Sequence, residues 1–266
     1  MKPVLLFFLL PAVASADFDS YWHDGKAELN GYQIKVSRYG ETREGKAVAI
    51  YVTEPFSESE RVKVDDPKRG VDALKLNLVR DFQTGIYDYN TMVSVFVRTR
   101  DFSPLKITFT SAEWCGHVFE ELIFTPRQVT GVYKSYFEGE TGTRSLAWPK
   151  AGIAEDALWI LLRNDFLKDG ERKTVPMLTG AYYGRLAHKS PSWVEARIER
   201  AGLVYTVAAG DRTGKFEIEP EYPHRIRRWE MWPDLSAELT GSTRLEYWKL
   251  HRNGDERYLK QLGIEP

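Results

Sequence analysis

Cysteine occurs once in the 266 residues, which excludes an internal disulfide framework and any metal cage built from thiolates alone. An excess of one charge is lacking too. Lys and Arg number 37 against 38 Asp and Glu, a formal net charge of −1, so the chain offers no electrostatic footprint for a nucleic acid. No apolar run reaches the roughly 20 residues of a membrane-spanning helix. The P-loop, G-x-G-x-x-G, G-x-S-x-G and H-E-x-x-H patterns are absent, which argues against nucleotide, dinucleotide, serine-hydrolase and zinc-protease chemistry. No repeat of fixed period is present. Aromatic residues, by contrast, make up 13% and hydrophobic residues 42% of the chain. Such a chain buries a core without staples and is not disordered.

The N-terminus reads as an export signal. Lys2 supplies a positive start, Val4 to Leu10 an apolar stretch running on to about Val13, and Ala14-Ser15-Ala16 a small-residue cleavage site. Residues 1–16 are therefore expected to be removed, with the mature chain, 17–266, beginning at Asp17 in the periplasm or outside the cell. No cysteine lies at the cleavage site, which excludes an acylated lipoprotein anchor, and no later stretch is long enough to span a membrane.

Beyond Asp17 the dominant period is two. Ala47–Val52, Leu74–Leu78, Met92–Val97, Leu105–Thr110 and Val118–Phe124 alternate apolar with polar residues or are rich in β-branched and aromatic ones. Val194–Ile198, Leu203–Ala208, Phe216–Ile218, Ile226–Met231, Leu235–Leu239 and Arg244–Leu250 continue the style, with Gly210–Gly214 as a hairpin loop. Only Glu155–Arg163 and the closing stretch Asp255–Leu262 carry helical spacing, the first with acids in its first turn, the second ended by Gly263. The expected fold is mainly β: an antiparallel curved sheet or half-barrel, like lipoprotein carriers, with one amphipathic helix covering its concave face. A single β-rich domain is expected, with 168–173 as the seam if there are two subdomains.

Two segments concentrate chemistry. In Glu113-Trp114-Cys115-Gly116-His117, a continuous strand would point Glu113, Cys115 and His117 to one face. A thiol beside an imidazole oriented by a carboxylate is a candidate nucleophile, and the same trio is a candidate zinc ligand set. Same-face neighbours on a strand lie about 6.6 Å apart, too far for a direct hydrogen bond, so the expectation is a small buried thiol beside Trp114. Exchange chemistry of the dithiol type is unsupported, since a second cysteine is lacking. The other segment is Arg80–Asn90. Asp81 and Asp88 are a candidate acid–base pair, with Gln83, Tyr87, Tyr89 and Trp114 as candidate ligand contacts. The plainer alternative has Asp81 and Asn90 pinning a loop and the rings covering the end of the sheet. His23, His188, His224 and His251 lack ligand spacing, and Arg225–Arg228 reads as a solvated strand face.

With Thr53–Phe56, Leu76–Asn90, Glu113–His117 and Asn253–Glu256 the chain resembles a family of exported bacterial proteins of unknown function. Some members bear the label of septum-formation inhibitors, cytoplasmic nucleotide pyrophosphatases of α/β fold; this chain's export signal and strand pattern do not fit that group. The resemblance brings no established activity and no residue roles, and no cofactor is expected. The expected function is binding, not catalysis, of an apolar or amphiphilic small molecule, such as a lipid, or of a cell-envelope protein. Mass spectrometry of the protein recovered after export is expected to find Asp17 at its N-terminus; a chain that retains Lys2 would contradict this.

Overall fold

The computed structural model describes residues 13–231 and 235–265, with side chains from Asp17 onward. Most of the expected export signal therefore lies outside the described residues. Helix α1 (Val13–Trp22) leads into β1 (Ala27–Arg38), β2 (Glu41–Ser57), β3 (Val62–Lys63), β4 (Val71–Thr84), β5 (Tyr87–Arg98), β6 (Pro104–Glu113), β7 (Gly116–Phe124), β8 (Gln128–Ser135) and β9 (Gly142–Ala147). After β10 (Ile153–Ala154) comes a short helical segment, Glu155–Asn164, with α2 (Leu158–Leu161) at its centre. The second half comprises β11 (Arg172–Leu178), α3 (Ala181–Ala187), β12 (Trp193–Ala201), β13 (Val204–Ala209), β14 (Arg212–Ile218), β15 (Ile226–Met231) and β16 (Leu235–Leu245).

All these strands join one sheet, antiparallel except where β10 meets β11. β1 sits at its middle. The chain meanders outward from β1 to the edge at β9, crosses over, and returns from β10 through β16, which pairs with the free side of β1. The sheet curves but does not close, so β9 and β10 remain its two edges. Alternation decides which residues face inward. Leu74, Leu76 and Leu78 are buried on the inner face while Lys75 and Asn77 look outward. The same phase continues into Arg80 and Phe82, both buried.

The crossing segment fills the concavity. Every residue from Ile153 to Arg163 is buried. The expected amphipathic helix is thus buried on all sides, and it is shorter, one α-helical turn between two 3-10 turns. The sheet curls far enough to cover its second face. Trp159 packs edge-on against Phe216 and Trp229, at 5.3 and 5.7 Å between centroids.

Charges at both ends pin the segment. Glu155 receives two bonds from Arg212 of β14, at 2.6 and 2.7 Å. Arg163 meets Glu28 of β1 at 2.8 Å and lies 4.2 Å over the Tyr51 ring. Glu28 also accepts from Tyr21 and Asn30, each at 2.6 Å, so its oxygens are satisfied without water. The aromatic anchors of α1, Phe18, Tyr21 and Trp22, all follow the expected cleavage site and rest against the core.

Several local expectations change. Arg244–Leu250 is a strand only to Leu245, and Asp255–Leu262 is 3-10 rather than α-helical. The β13–β14 turn is only Gly210-Asp211. A register shift at Glu217/Ile218 turns both Ile226 and Trp229 inward, breaking the simple alternation expected across Arg225–Arg228. Residues 168–171 form a tight connection into β11, which joins the same sheet.

Removing one partner of a buried ion pair leaves the other charge uncompensated, at a cost of about 3–5 kcal/mol. Arg163→Met is expected to lose that much in urea unfolding. Arg197→Met, at the exposed pair with Glu199, is expected to lose under about 1 kcal/mol.

Candidate functional site

In the first half of the sheet four hairpins turn at the same rim: β1–β2 at Tyr39-Gly40, β4–β5 at Gly85-Ile86, β6–β7 at Trp114-Cys115 and β8–β9 across 136–141. Each tip puts a large apolar side chain into solvent, Tyr39, Ile86, Trp114 and Tyr136, all 60% exposed or more. Both sequence-predicted segments therefore end at this rim.

In the first segment Glu113 pairs with Gly116 and Ala112 with His117, leaving Trp114 and Cys115 as a two-residue turn. The turn breaks the strand alternation on which the trio depended. Glu113 faces inward and is buried in an ion pair with Arg185 of α3, His117 is exposed on the outer face, and Cys115 is exposed at the tip. The expected burial of Cys115 is thus overturned, because the thiol lies in a turn and not in a strand. The three groups do not converge on one cleft. Gly116 serves a close approach: a Cβ there would fall 2.4 Å from the Tyr136 ring. Among the described residues, no cluster of three or more His, Cys, Asp and Glu could hold a metal.

The Arg80–Asn90 segment is strand, turn and strand rather than a loop. Asp81 accepts from Asn90 across the pair, and Asp88 accepts from the Trp114 indole at 2.8 Å. These residues and Gln83 lie on the outer face, since their inner-face neighbours Phe82, Thr84 and Tyr89 are the buried ones. Tyr89 stacks on Phe82 at 4.8 Å and meets the Tyr39 hydroxyl at 2.8 Å. The candidate ligand set thus splits, with Tyr89 inside and Asp81, Gln83 and Asp88 outside, while half-buried Tyr87 meets the exposed Trp114 ring at 6.4 Å, and Asp81 and Asp88 hold separate partners.

A cleft of about 480 Å³ opens elsewhere, between α3 and the inner face of β6–β9. Phe109, Glu120 and Tyr133 lie in cross-strand succession on its floor, and Arg144 comes from β9. Arg185, His188 and the Phe137 ring form the opposite side. Gly131 makes room for Tyr133, whose hydroxyl would stand 2.2 Å from a Cβ at that glycine. The Arg144 guanidinium lies 5.7 Å over the Tyr133 ring, and His188 meets Glu140 at 2.6 Å.

Glu120 is the unusual group. One of its carboxyl oxygens is buried without a partner among the described residues. Burial, reinforced by the charge of Asp156 and opposed by Arg144, pushes its pKa up to about 8. At neutral pH it is therefore mostly a neutral acid that donates as well as accepts. Neither Glu120 nor Arg185 stood out in the sequence. The signal for Glu120 was there: it occupies an inward position between Val118 and Leu122, on the apolar stripe of β7.

The architecture is that of an open, β-barrel-like curved sheet. A solved structure of the same kind, a β-barrel-like protein of domain of unknown function DUF1849 from Brucella abortus, superposes with a TM-score of 0.50 over 82% of this chain and 98% of that one, at 8% identity. At that identity the likeness speaks for the fold alone. No protein-family model matches the chain, and neither does any curated protein. No described helix is long and apolar enough to cross a membrane.

A carboxyl with a folded pKa near 8, against an ordinary value of 4.5, binds more protons folded than unfolded between those values. Stability then falls as pH rises through that window, by about 1.4 kcal/mol per pH unit at most. Glu120→Gln is expected to flatten the melting temperature between pH 6 and 8, and an unchanged slope would contradict the assignment.

Proposed function

We propose that the protein is an exported binding protein, and that the cleft between α3 and β6–β9 takes an amphiphilic small molecule. The carrying observation is the mixed lining of that cleft: rings of Phe109, Tyr133 and Phe137 beside the neutral acid of Glu120 and the guanidinium of Arg144. Its volume of about 480 Å³ falls within the ordinary range for small-molecule sites. An apolar face for the ligand meets the rings, and a hydroxyl or carbonyl meets Glu120 and Arg144.

A long acyl chain running under the sheet is not part of this reading, because the crossing segment occupies that space. The export signal supplies the location, and the resemblance to exported proteins of unknown function agrees with it. A thiol enzyme at Cys115 draws no support from the geometry, with Glu113 engaged by Arg185 and His117 on the other face.

The reporter dye 1-anilinonaphthalene-8-sulfonate, amphiphilic and anionic, tests the cleft. One saturable site is expected per chain, weakened at least tenfold, about 1.4 kcal/mol, by Arg144→Ala or Phe137→Ala. The rim variant Tyr39→Ser should bind as the wild type does. Equal binding by all variants, or none by the wild type, would overturn the assignment.

A further inference from the structure

Four arginines are buried among the described residues, and three of them hold a buried glutamate: Arg163 with Glu28, Arg185 with Glu113 and Arg212 with Glu155. Arg80 holds none. It is 2% exposed, and its Nε and Nη1 have no hydrogen-bond partner among the described residues. The guanidinium lies 4.4 Å over the Tyr182 ring and 5.7 Å from that of Trp159. Ring faces attract a cation, but they accept none of its in-plane hydrogens.

Arg80 lines a cavity of about 40 Å³ on the side of α3 away from the cleft. Tyr182 and Trp159 line it too, and the Tyr182 hydroxyl and the Trp159 indole N–H also lack partners among the described residues. Unmet donors therefore surround one small space, and Val36, Leu186, Met231 and Leu235 give the wall an apolar part beside Glu155 and Asp156. That combination calls for a compact acceptor of negative charge joined to an apolar group. A carboxylate fits the guanidinium better than a spherical ion does, since its two oxygens accept in one plane.

We infer that the cavity beside Arg80 is a binding site for the carboxylate of a small aliphatic acid, or for the carboxylate end of a longer one. Arg80 is the anchoring cation, Tyr182 and Trp159 add donors, and Leu186, Met231 and Leu235 receive the first carbons.

The charged groups at the cavity are few. β4 supplies Arg80, and the crossing segment supplies Glu155, neutralised by Arg212, and Asp156. Tyr182 and Tyr183 come from α3, while Val36, Ser37, Met231 and Leu235 bring no charge. Asp156 accepts from the Ala181 N–H at 3.0 Å and also faces Glu120 of β7; burial together with Glu155 raises its pKa to about 6 against the opposing pull of Arg80 and Arg212. An incoming carboxylate meets less repulsion once Asp156 is protonated, so binding should tighten from pH 7.5 to pH 5.5.

The test is titration of the mature protein with ¹³C-carboxyl acetate, butyrate and octanoate, followed by NMR, with sodium chloride and sulfate as controls at equal ionic strength. Saturable binding of at least one acid is expected, lost in Arg80→Met and weakened severalfold in Tyr182→Phe. The chain length that binds most tightly separates a free small acid from the end of an amphiphile. Absence of saturable binding, unchanged affinity in Arg80→Met, or displacement by chloride or sulfate at matching concentration would overturn the proposal. Should Arg80→Met not fold, unchanged affinity in Tyr182→Phe would do so. Arg144→Ala should leave this site intact, so its outcome is separable from that of the cleft.

Discussion

Burying an arginine against a glutamate is the interaction on which the rest of this structure depends. The crossing segment carries acids at one end and a guanidinium at the other, and it lies where water cannot reach. Glu155–Arg212 and Arg163–Glu28 neutralise those ends and tie the segment to β14 and β1, three places apart in the sheet order. Desolvating such charges offsets much of their attraction, so these pairs are poor sources of net stability. What they supply is register. An apolar segment alone could slide or rotate inside the sheet, whereas misplacing either charge here strands an ion in the core.

The same device extends to α3. Glu155 and Asp156 accept from the Gly180 and Ala181 amides at 2.9 and 3.0 Å, while Arg185 reaches across to Glu113. A seven-residue helix has little intrinsic stability, so its position follows from these tethers and from the His188–Glu140 contact with the β8–β9 tip. α3 consequently divides the space left under the sheet. Tyr182 and Leu186 face one cavity, and Arg185 and His188 face the cleft. Successive residues on a helix differ by roughly 100° in direction, and His188 leaves the helix in a left-handed conformation, so one short element walls off two sites.

Much of the fold was legible because a half-buried strand writes its orientation in every second residue. Leu74, Leu76 and Leu78 announced an inner face, and it is there. The meander and the interior place of the Glu155–Arg163 segment followed from the same reading, whereas α3 did not. Hairpin tips were less legible. Trp114 and Cys115 look like strand residues by type, so a trio drawn on a continuous strand was dissolved by a two-residue turn. The crossing segment was read as amphipathic because Glu155, Asp156 and Arg163 are polar letters, and only their partners, 57, 25 and 135 residues away, make them interior. Pairings at that separation leave no trace in local periodicity.

Charged residues standing in phase with an apolar stripe were the overlooked signal. Arg80 continues the series Leu74, Leu76, Leu78 and precedes Phe82; Glu120 stands between Val118 and Leu122. Alternation sends both inward, where an ion must find a partner, neutralise itself or meet a ligand. Glu120 takes the second course, holding its proton to about pH 8. Arg80 cannot release its proton, and among the described residues it feels Asp156 at a distance but forms an ion pair with no carboxylate. Arg163, Arg185 and Arg212 show that this chain can supply a glutamate to a buried arginine wherever the fold requires one. At Arg80 the counter-charge is left to come from outside, and the wall of apolar side chains around it states what kind of molecule should carry it.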